Sequence, residues 1–172
     1  MRYLMKFGGT SVADAHCIAR VVDILEQHHR DGDEVAVVVS AQRGVTDQLI
    51  EVASALPTAK DDSAIQPLIQ ALSKRHMTTL EGAAPDSLAE VGAEIEERLI
   101  NLENILSAVY NLRELTPRSK DYVISFGERL LAPIVGAALR QRGIASTVMD
   151  GCEAGILTTP QHGESTSLPE SD

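Results

Sequence analysis

The sequence predicts an α/β fold built on parallel strands, and three observations carry that expectation. Short apolar runs alternate with segments of helical periodicity from residue 2 onward. The second run, VAVVV at 35–39, is almost wholly β-branched and apolar on both faces, which suits a strand in the middle of a parallel sheet. Each run ends in a turn rich in glycine or hydroxyl residues that leads into a helix, so the crossovers are expected to be right-handed.

The elements follow in order. RYLMKF at 2–7 reads as a strand running into Gly8-Gly9. Ile18, Val21, Val22 and Leu25 recur at helical spacing between Ala13 and His29, and Asp31-Gly32-Asp33 stops that helix. After the 35–39 strand the chain turns through Gly44 into a second helix, about 47–56, ended by Pro57. Residues 61–115 read as a helical hairpin with Gly82 to Pro85 at its bend. One stripe is Ile65, Leu68, Ile69 and Leu72; the other runs from Val91 through Leu99 to Leu112, with Glu94 and Arg98 paired at i,i+4. Thr116-Pro117 has the form of an N-cap and first-turn proline for a helix that stops at Gly143. IASTVM at 144–149 predicts another strand, and ILTT at 156–159 a further one. From Pro160 the Ser-, Glu-, Pro- and Thr-rich tail reads as a linker or frayed end.

Composition narrows the function classes. The chain has 172 residues, 44% hydrophobic and 23% charged, enough for one domain with its own core. A net charge of −10 and 3% aromatic residues argue against nucleic acid, which would meet repulsion and few stacking surfaces. No uninterrupted apolar run reaches the ~20 residues of a membrane span, and MRYLMKFGG lacks the pattern of a secretory leader, so a cytoplasmic location is expected. Cys17 and Cys152 have no CxxC spacing and the five histidines form no HExxH, so no structural metal is expected.

Three clusters carry candidate chemistry. In Lys6-Phe7-Gly8-Gly9-Thr10-Ser11, glycines without Cβ atoms let the backbone approach a phosphate, and the next helix's N-terminal amides would face it. Lys6 would stand at the strand's C-terminal end, where open α/β sheets bind ligands. The order of residues fits neither a Walker A loop nor GxGxxG, and a tight turn beside a solvated lysine is the alternative reading. In Ser40-Ala41-Gln42-Arg43-Gly44-Val45-Thr46-Asp47, the Ser40 and Thr46 hydroxyls can bond a small polar ligand, or Thr46 simply caps the following helix. In Ser125-Phe126-Gly127-Glu128-Arg129, a glycine inside a helix costs about 1 kcal/mol relative to Ala and points to close packing there. Glu128 beside it either binds an ammonium group in a cleft or pairs with Arg129 on the surface.

Together, KFGGTSV at 6–12, VVSAQRGVTDQL at 38–49, SFGERLLAPIVGAAL at 125–139 and DGCEAGILTT at 150–159 resemble the aspartate kinases of the amino-acid kinase superfamily. The resemblance implies a three-layer α/β/α sandwich, mostly parallel, with 61–115 as a helical insertion. It also implies phosphorylation of the L-aspartate side-chain carboxylate by ATP with Mg²⁺, giving 4-phospho-L-aspartate, the first step towards lysine, threonine and methionine. By the same resemblance Lys6 is the catalytic lysine, and with Gly8, Gly9, Thr10 and Ser11 it holds the ATP phosphates. Ser40, Thr46 and Glu128 contact aspartate, Glu128 through the α-amino group. A carboxylate with a pKa of ~3.9 is already ionised, so such a reaction needs charge neutralisation and alignment rather than a general base.

The resemblance covers 1–159 as the substrate-binding part of the kinase domain, with 160–172 as linker or tail. The family's GRGGSD run, the ATP-binding segments after it and the ACT domains are absent from this sequence. Expected partners are therefore L-aspartate, ATP, and a second copy or a chain supplying the ATP-binding half. The alternatives are a non-catalytic assembly or regulatory module of a split aspartate kinase, and a related kinase acting on another acid.

Overall fold

The structure, a computed structural model, describes residues 1–170. Along the chain run β1 (Arg2–Phe7), α1 (Ala15–Arg30), β2 (Glu34–Val39), α2 (Val45–Ala55), α3 (Ile65–Ala83), α4 (Leu88–Leu112) and α5 (Pro117–Gln141). Single 3-10 turns lie at Leu56–Thr58 and Pro85–Ser87, the latter forming the bend of the α3–α4 hairpin.

β1 and β2 pair in parallel, in register from Arg2 with Glu34 to Phe7 with Val39. Alternation decides which side chains meet the helices. Met5, Phe7, Val35, Val37 and Val39 pack against the core, whereas Leu4 (76%) and Val38 (47%) stand exposed on the opposite face. The apolar run of β2 therefore does not lie in the middle of a wide sheet: among the described residues it has one strand neighbour and one covered face. Its β-branched content suits burial on both sides, and only one side is covered here.

Helices form the bulk of the core. Ile18 on α1, Leu49 on α2, Leu72 and Leu80 on α3, Ile95, Leu102 and Leu106 on α4, and Phe126, Leu130 and Ile134 on α5 are fully buried. Each such side chain contributes about 1.5–3 kcal/mol relative to exposure. Arg142, just past α5, reaches Asp23 and Glu26 of α1 at 3.0 Å each, holding these two helices side by side.

α5 begins as its sequence dictates: Thr116 accepts from the Ser119 amide at 3.1 Å, and Pro117 fills the first turn. By length and composition it could cross a membrane, yet 67% of its apolar window is buried among the other helices. Pro133 lies inside it. Having no N–H, Pro133 cannot bond the carbonyl four residues back. That carbonyl belongs to Arg129, and the Arg98 guanidinium of α4 donates to it instead. Arg98 also holds Glu94 at 2.6 Å, the i,i+4 pair expected from the sequence.

One expectation about the C-terminal part needs correction. Residues 144–149 form no strand; they run along α5, with Ser146 Oγ donating to the Gly136 carbonyl at 3.0 Å. A groove separates them from β2, so no ladder partner is within reach. The tail beyond Pro160 makes a few defined contacts up to residue 170. Thr158 and Ser167 form an antiparallel bridge, with Thr159 N–H to Thr166 O at 2.9 Å and Leu168 N–H to Leu157 O at 2.8 Å. Asp121 at the start of α5 accepts from the Gly163 amide at 2.7 Å, so the hairpin is also tied to the helical layer. Its Gly163 turn, with φ 84°, is what lets ILTT find a partner in the tail. The last two residues of the expected tail lie outside those described.

Candidate functional site

The two strand-end loops meet because the parallel register brings Phe7 beside Val39, and the chain continues from both on the same side. The Ser40 amide donates to Phe7 O at 3.1 Å and the Arg43 amide to Gly9 O at 3.2 Å, extending the ladder into the loops. Gly9 is required here by packing: a Cβ on it would lie 2.7 Å from the Ala41 carbonyl oxygen and 3.3 Å from Arg43 N. A Cβ on Gly8 would meet nothing within 4 Å. The paired glycines thus divide the work, Gly9 letting the loops touch and Gly8 facing open space.

The third cluster joins from α5. Glu128 is half-buried, and its Oε1 accepts from the Ala41 amide at 3.0 Å across 87 residues of sequence. Gly127 permits that approach, since a Cβ there would lie 2.6 Å from the Ala41 Cβ. Glu128 makes no ion pair with Arg129. Arg129 instead lies over the Phe126 and Tyr122 rings and faces Asp150, with Nε 3.3 Å from Oδ2 but too poorly aligned for a hydrogen bond.

Lys6 is exposed one residue before the end of β1. Thr10 and Ser11 are exposed in the tight turn closed by Ser11 N–H to Gly8 O at 2.8 Å. Ser40 and Thr46 are half-buried at the end of β2 and in the first turn of α2. Thr46 does not cap α2: that position falls to Gly44, whose φ of 82° is left-handed, with no side-chain bond. Among the described residues the side chains of Lys6, Thr10, Ser11, Ser40 and Thr46 have no hydrogen-bond or ion-pair partner. Two loops therefore present one ammonium and four hydroxyls next to one anchored carboxylate.

The anion-binding helix end expected beside the glycines is not formed there. α1 starts only at Ala15, and its cap is Asp14, which accepts from the Cys17 amide at 2.8 Å. That bond holds the Asp14 carboxyl below the ordinary range, so this helix end already carries an anion. Any phosphate at this site would rest on the Gly8–Ser11 turn rather than on α1. A groove of about 1210 Å³ also lies to one side, between β2, α5 and residues 144–156. Ser125, Glu128 and Arg129 line it; Lys6, Gly8, Ser40 and Thr46 do not.

Sequence reasoning missed Gln42. Its side chain is 1% exposed, and Nε2 donates to Ala13 O at 3.1 Å and Thr79 Oγ1 at 3.0 Å. A polar residue in a hydroxyl-rich loop gives no signal of burial, since only the position of α3 behind it makes the difference.

The model of the amino acid kinase family matches residues 1–170. Aspartokinase 3, chloroplastic, of Arabidopsis thaliana is 33% identical over 159 residues, covering 91% of this chain and 27% of that protein. The aspartokinase of Schizosaccharomyces pombe is 32% identical over 161 residues, covering 86% and 29%. Among solved structures, E. coli aspartokinase III in complex with aspartate and ADP superposes with a TM-score of 0.83 at 24% identity, over 98% of this chain and 35% of that one. The chain spans about a quarter of the length of these curated relatives. With the family model matched along the described fold, the chain belongs to the amino acid kinase family.

Proposed function

We propose that this chain forms the aspartate-binding part of an aspartate kinase, which transfers the γ-phosphoryl group of ATP to the side-chain carboxylate of L-aspartate. The observation that carries the reading is the bond from the Ala41 amide to Glu128, which brings the third cluster onto the two loops bearing Lys6, Ser40 and Thr46. The relatives named above are aspartokinases, and one related structure holds aspartate and ADP.

In this reading Lys6 neutralises charge on the transferring phosphoryl group, and the turn of Gly8, Gly9, Thr10 and Ser11 receives the ATP phosphates. Ser40 and Thr46 orient the substrate through hydroxyls that have no other partner among the described residues. Glu128 gives one oxygen to Ala41 and keeps the other for the α-ammonium group. Mg²⁺ would come with the nucleotide, offsetting phosphate charge; the Thr10 and Ser11 hydroxyls are oxygen donors of a kind that suits it. The substrate carboxylate attacks as it stands, so alignment and electrostatics carry the rate. The enzyme would act in the cytoplasm, at the head of lysine, threonine and methionine synthesis.

The open face of the sheet, with Leu4 and Val38 exposed, favours a second reading. There the chain, taken as 1–159 plus tail, is an assembly or regulatory module and a partner supplies the ATP-binding half. Trapping acyl phosphate with hydroxylamine separates the two. Hydroxamate formed from aspartate and Mg·ATP by this chain alone supports the enzyme; hydroxamate only on adding the partner supports the module. In a competent assembly Lys6→Ala should lower turnover by about 10²–10³-fold, and Glu128→Ala should mainly weaken aspartate binding. Unchanged kinetics in both variants would remove the assignment.

A further inference from the structure

We infer that Gln42 is a positioning residue: its buried amide locks the Ser40–Thr46 loop to the phosphate-side turn and sets the spacing of the proposed site. This rests on the functional reading above only where it speaks of aspartate.

Gln42 Nε2 has two acceptors on two different elements. Ala13 O, at 3.1 Å, belongs to the segment between Ser11 and α1. Thr79 Oγ1, at 3.0 Å, belongs to α3, and that hydroxyl spends its own proton on Arg75 O at 2.9 Å. Both partners therefore only accept, and the amide orientation is determined: the reverse flip would set Oε1 against a carbonyl oxygen. The backbone around Gln42 is fixed independently, by Ala41 N–H to Glu128, Arg43 N–H to Gly9 O and Val45 N–H to Gln42 O at 3.0 Å. The loop is thus held by β1's extension, by α5 and, through one side chain, by the α1 entrance and α3.

Gln42 Oε1 has no protein partner among the described residues, although the residue is 99% buried. A side chain of equal size without polar atoms would spare Oε1 but would leave Ala13 O without this donor and remove the bond to Thr79, so the amide holds its place by direction as well as by volume. What the amide adds is a fixed distance between two loops whose free side chains are Lys6, Thr10 and Ser11 on one side and Ser40 and Thr46 on the other. A role confined to filling volume would let an apolar isostere serve as well.

The test compares the chain with Gln42→Met, which keeps the volume, and with Thr79→Val, which removes one acceptor. Backbone amide exchange is read at Arg43 and Ser11 against core amides of α5, and L-aspartate is titrated in the same spectra. In Gln42→Met, exchange at Arg43 and Ser11 should accelerate at least tenfold while α5 amides keep their rates. Thr79→Val should give a smaller effect of the same pattern, absent when Gln42 is already Met. Aspartate affinity should fall about tenfold in Gln42→Met. Unchanged Arg43 and Ser11 exchange, or acceleration shared equally with α5, overturns the positioning role. If the parent chain binds no aspartate, the substrate reading fails while the exchange comparison still decides the role of Gln42.

Discussion

Replacing one glycine of the Gly8-Gly9 pair should be nearly harmless to the fold and replacing the other should not. An alanine Cβ at Gly9 would sit 2.7 Å from the Ala41 carbonyl oxygen, about 0.6 Å inside even the close C···O contacts of ~3.3 Å. The listener is backbone on both sides, so neither party can rotate away. Forcing the loops apart costs about 1–3 kcal/mol as overpacking. It also strains the 3.2 Å bond from Arg43 N to Gly9 O, worth about 0.5–1.5 kcal/mol. Against this, removing a glycine stiffens the unfolded chain and returns about 0.4–1 kcal/mol. The balance is a loss of about 2 kcal/mol for Gly9→Ala. Gly8→Ala has only the last contribution, because its Cβ meets nothing within 4 Å and its φ is not positive. The two variants should differ by about 3 kcal/mol, or about 6–12 °C in Tm for a chain of this size. Urea titration followed by far-UV circular dichroism reads the difference directly. Equal midpoints, or a less stable Gly8→Ala, would refute the division of roles between the glycines.

Other expectations follow from single contacts. Arg98→Met should destabilise by about 1–3 kcal/mol in urea, since the Arg129 carbonyl bypassed by Pro133 would lose its donor. Pro133→Ala in the same background should recover much of that loss by restoring a helical N–H. Gly92→Ala, where the added Cβ meets only the flexible end of Met77 at 3.0 Å, should raise stability by up to about 1 kcal/mol. His76 is buried on α3, its Nδ1 bonded to Leu72 O at 2.7 Å and its Nε2 without a protein partner among the described residues; burial pushes its pKa below the ordinary value. The unfolded chain then takes up a proton near pH 6.5 that the folded chain resists, so stability is full above ~6.5 and falls as pH drops through the folded pKa. Urea midpoints measured from pH 7.5 to 5.5 should decline in the parent and flatten in His76→Met.

Much of the helical layer was legible from residues alone. Ile18, Val21, Val22 and Leu25 marked the buried side of α1, and Thr116-Pro117 marked the start of α5, because periodicity and capping are local physics. The internal Gly127 also announced a close approach, now seen to be with Ala41. The sheet was harder. The apolar run 35–39 states that a strand can be buried on both faces, not that the neighbours covering it are within these residues. IASTVM likewise has strand composition, but strand structure needs a partner at hydrogen-bond distance, and a groove lies where that partner would be. At the site, the family resemblance groups Lys6, Ser40, Thr46 and Glu128, whereas the bond from Ala41 to Glu128 and the burial of Gln42 arise only from packing across distant segments.

The α3–α4 hairpin has a status that its boundaries in sequence hide. Through Arg98 it completes the main-chain bonding of a neighbouring helix that proline interrupted, so it is a supplier of backbone chemistry as well as of apolar surface. Such a segment cannot be trimmed like an ornament. Shortening it by even a few residues on the α4 side would shift the guanidinium off its carbonyl and loosen the rod that carries Glu128, so the hairpin and α5 stand or melt together.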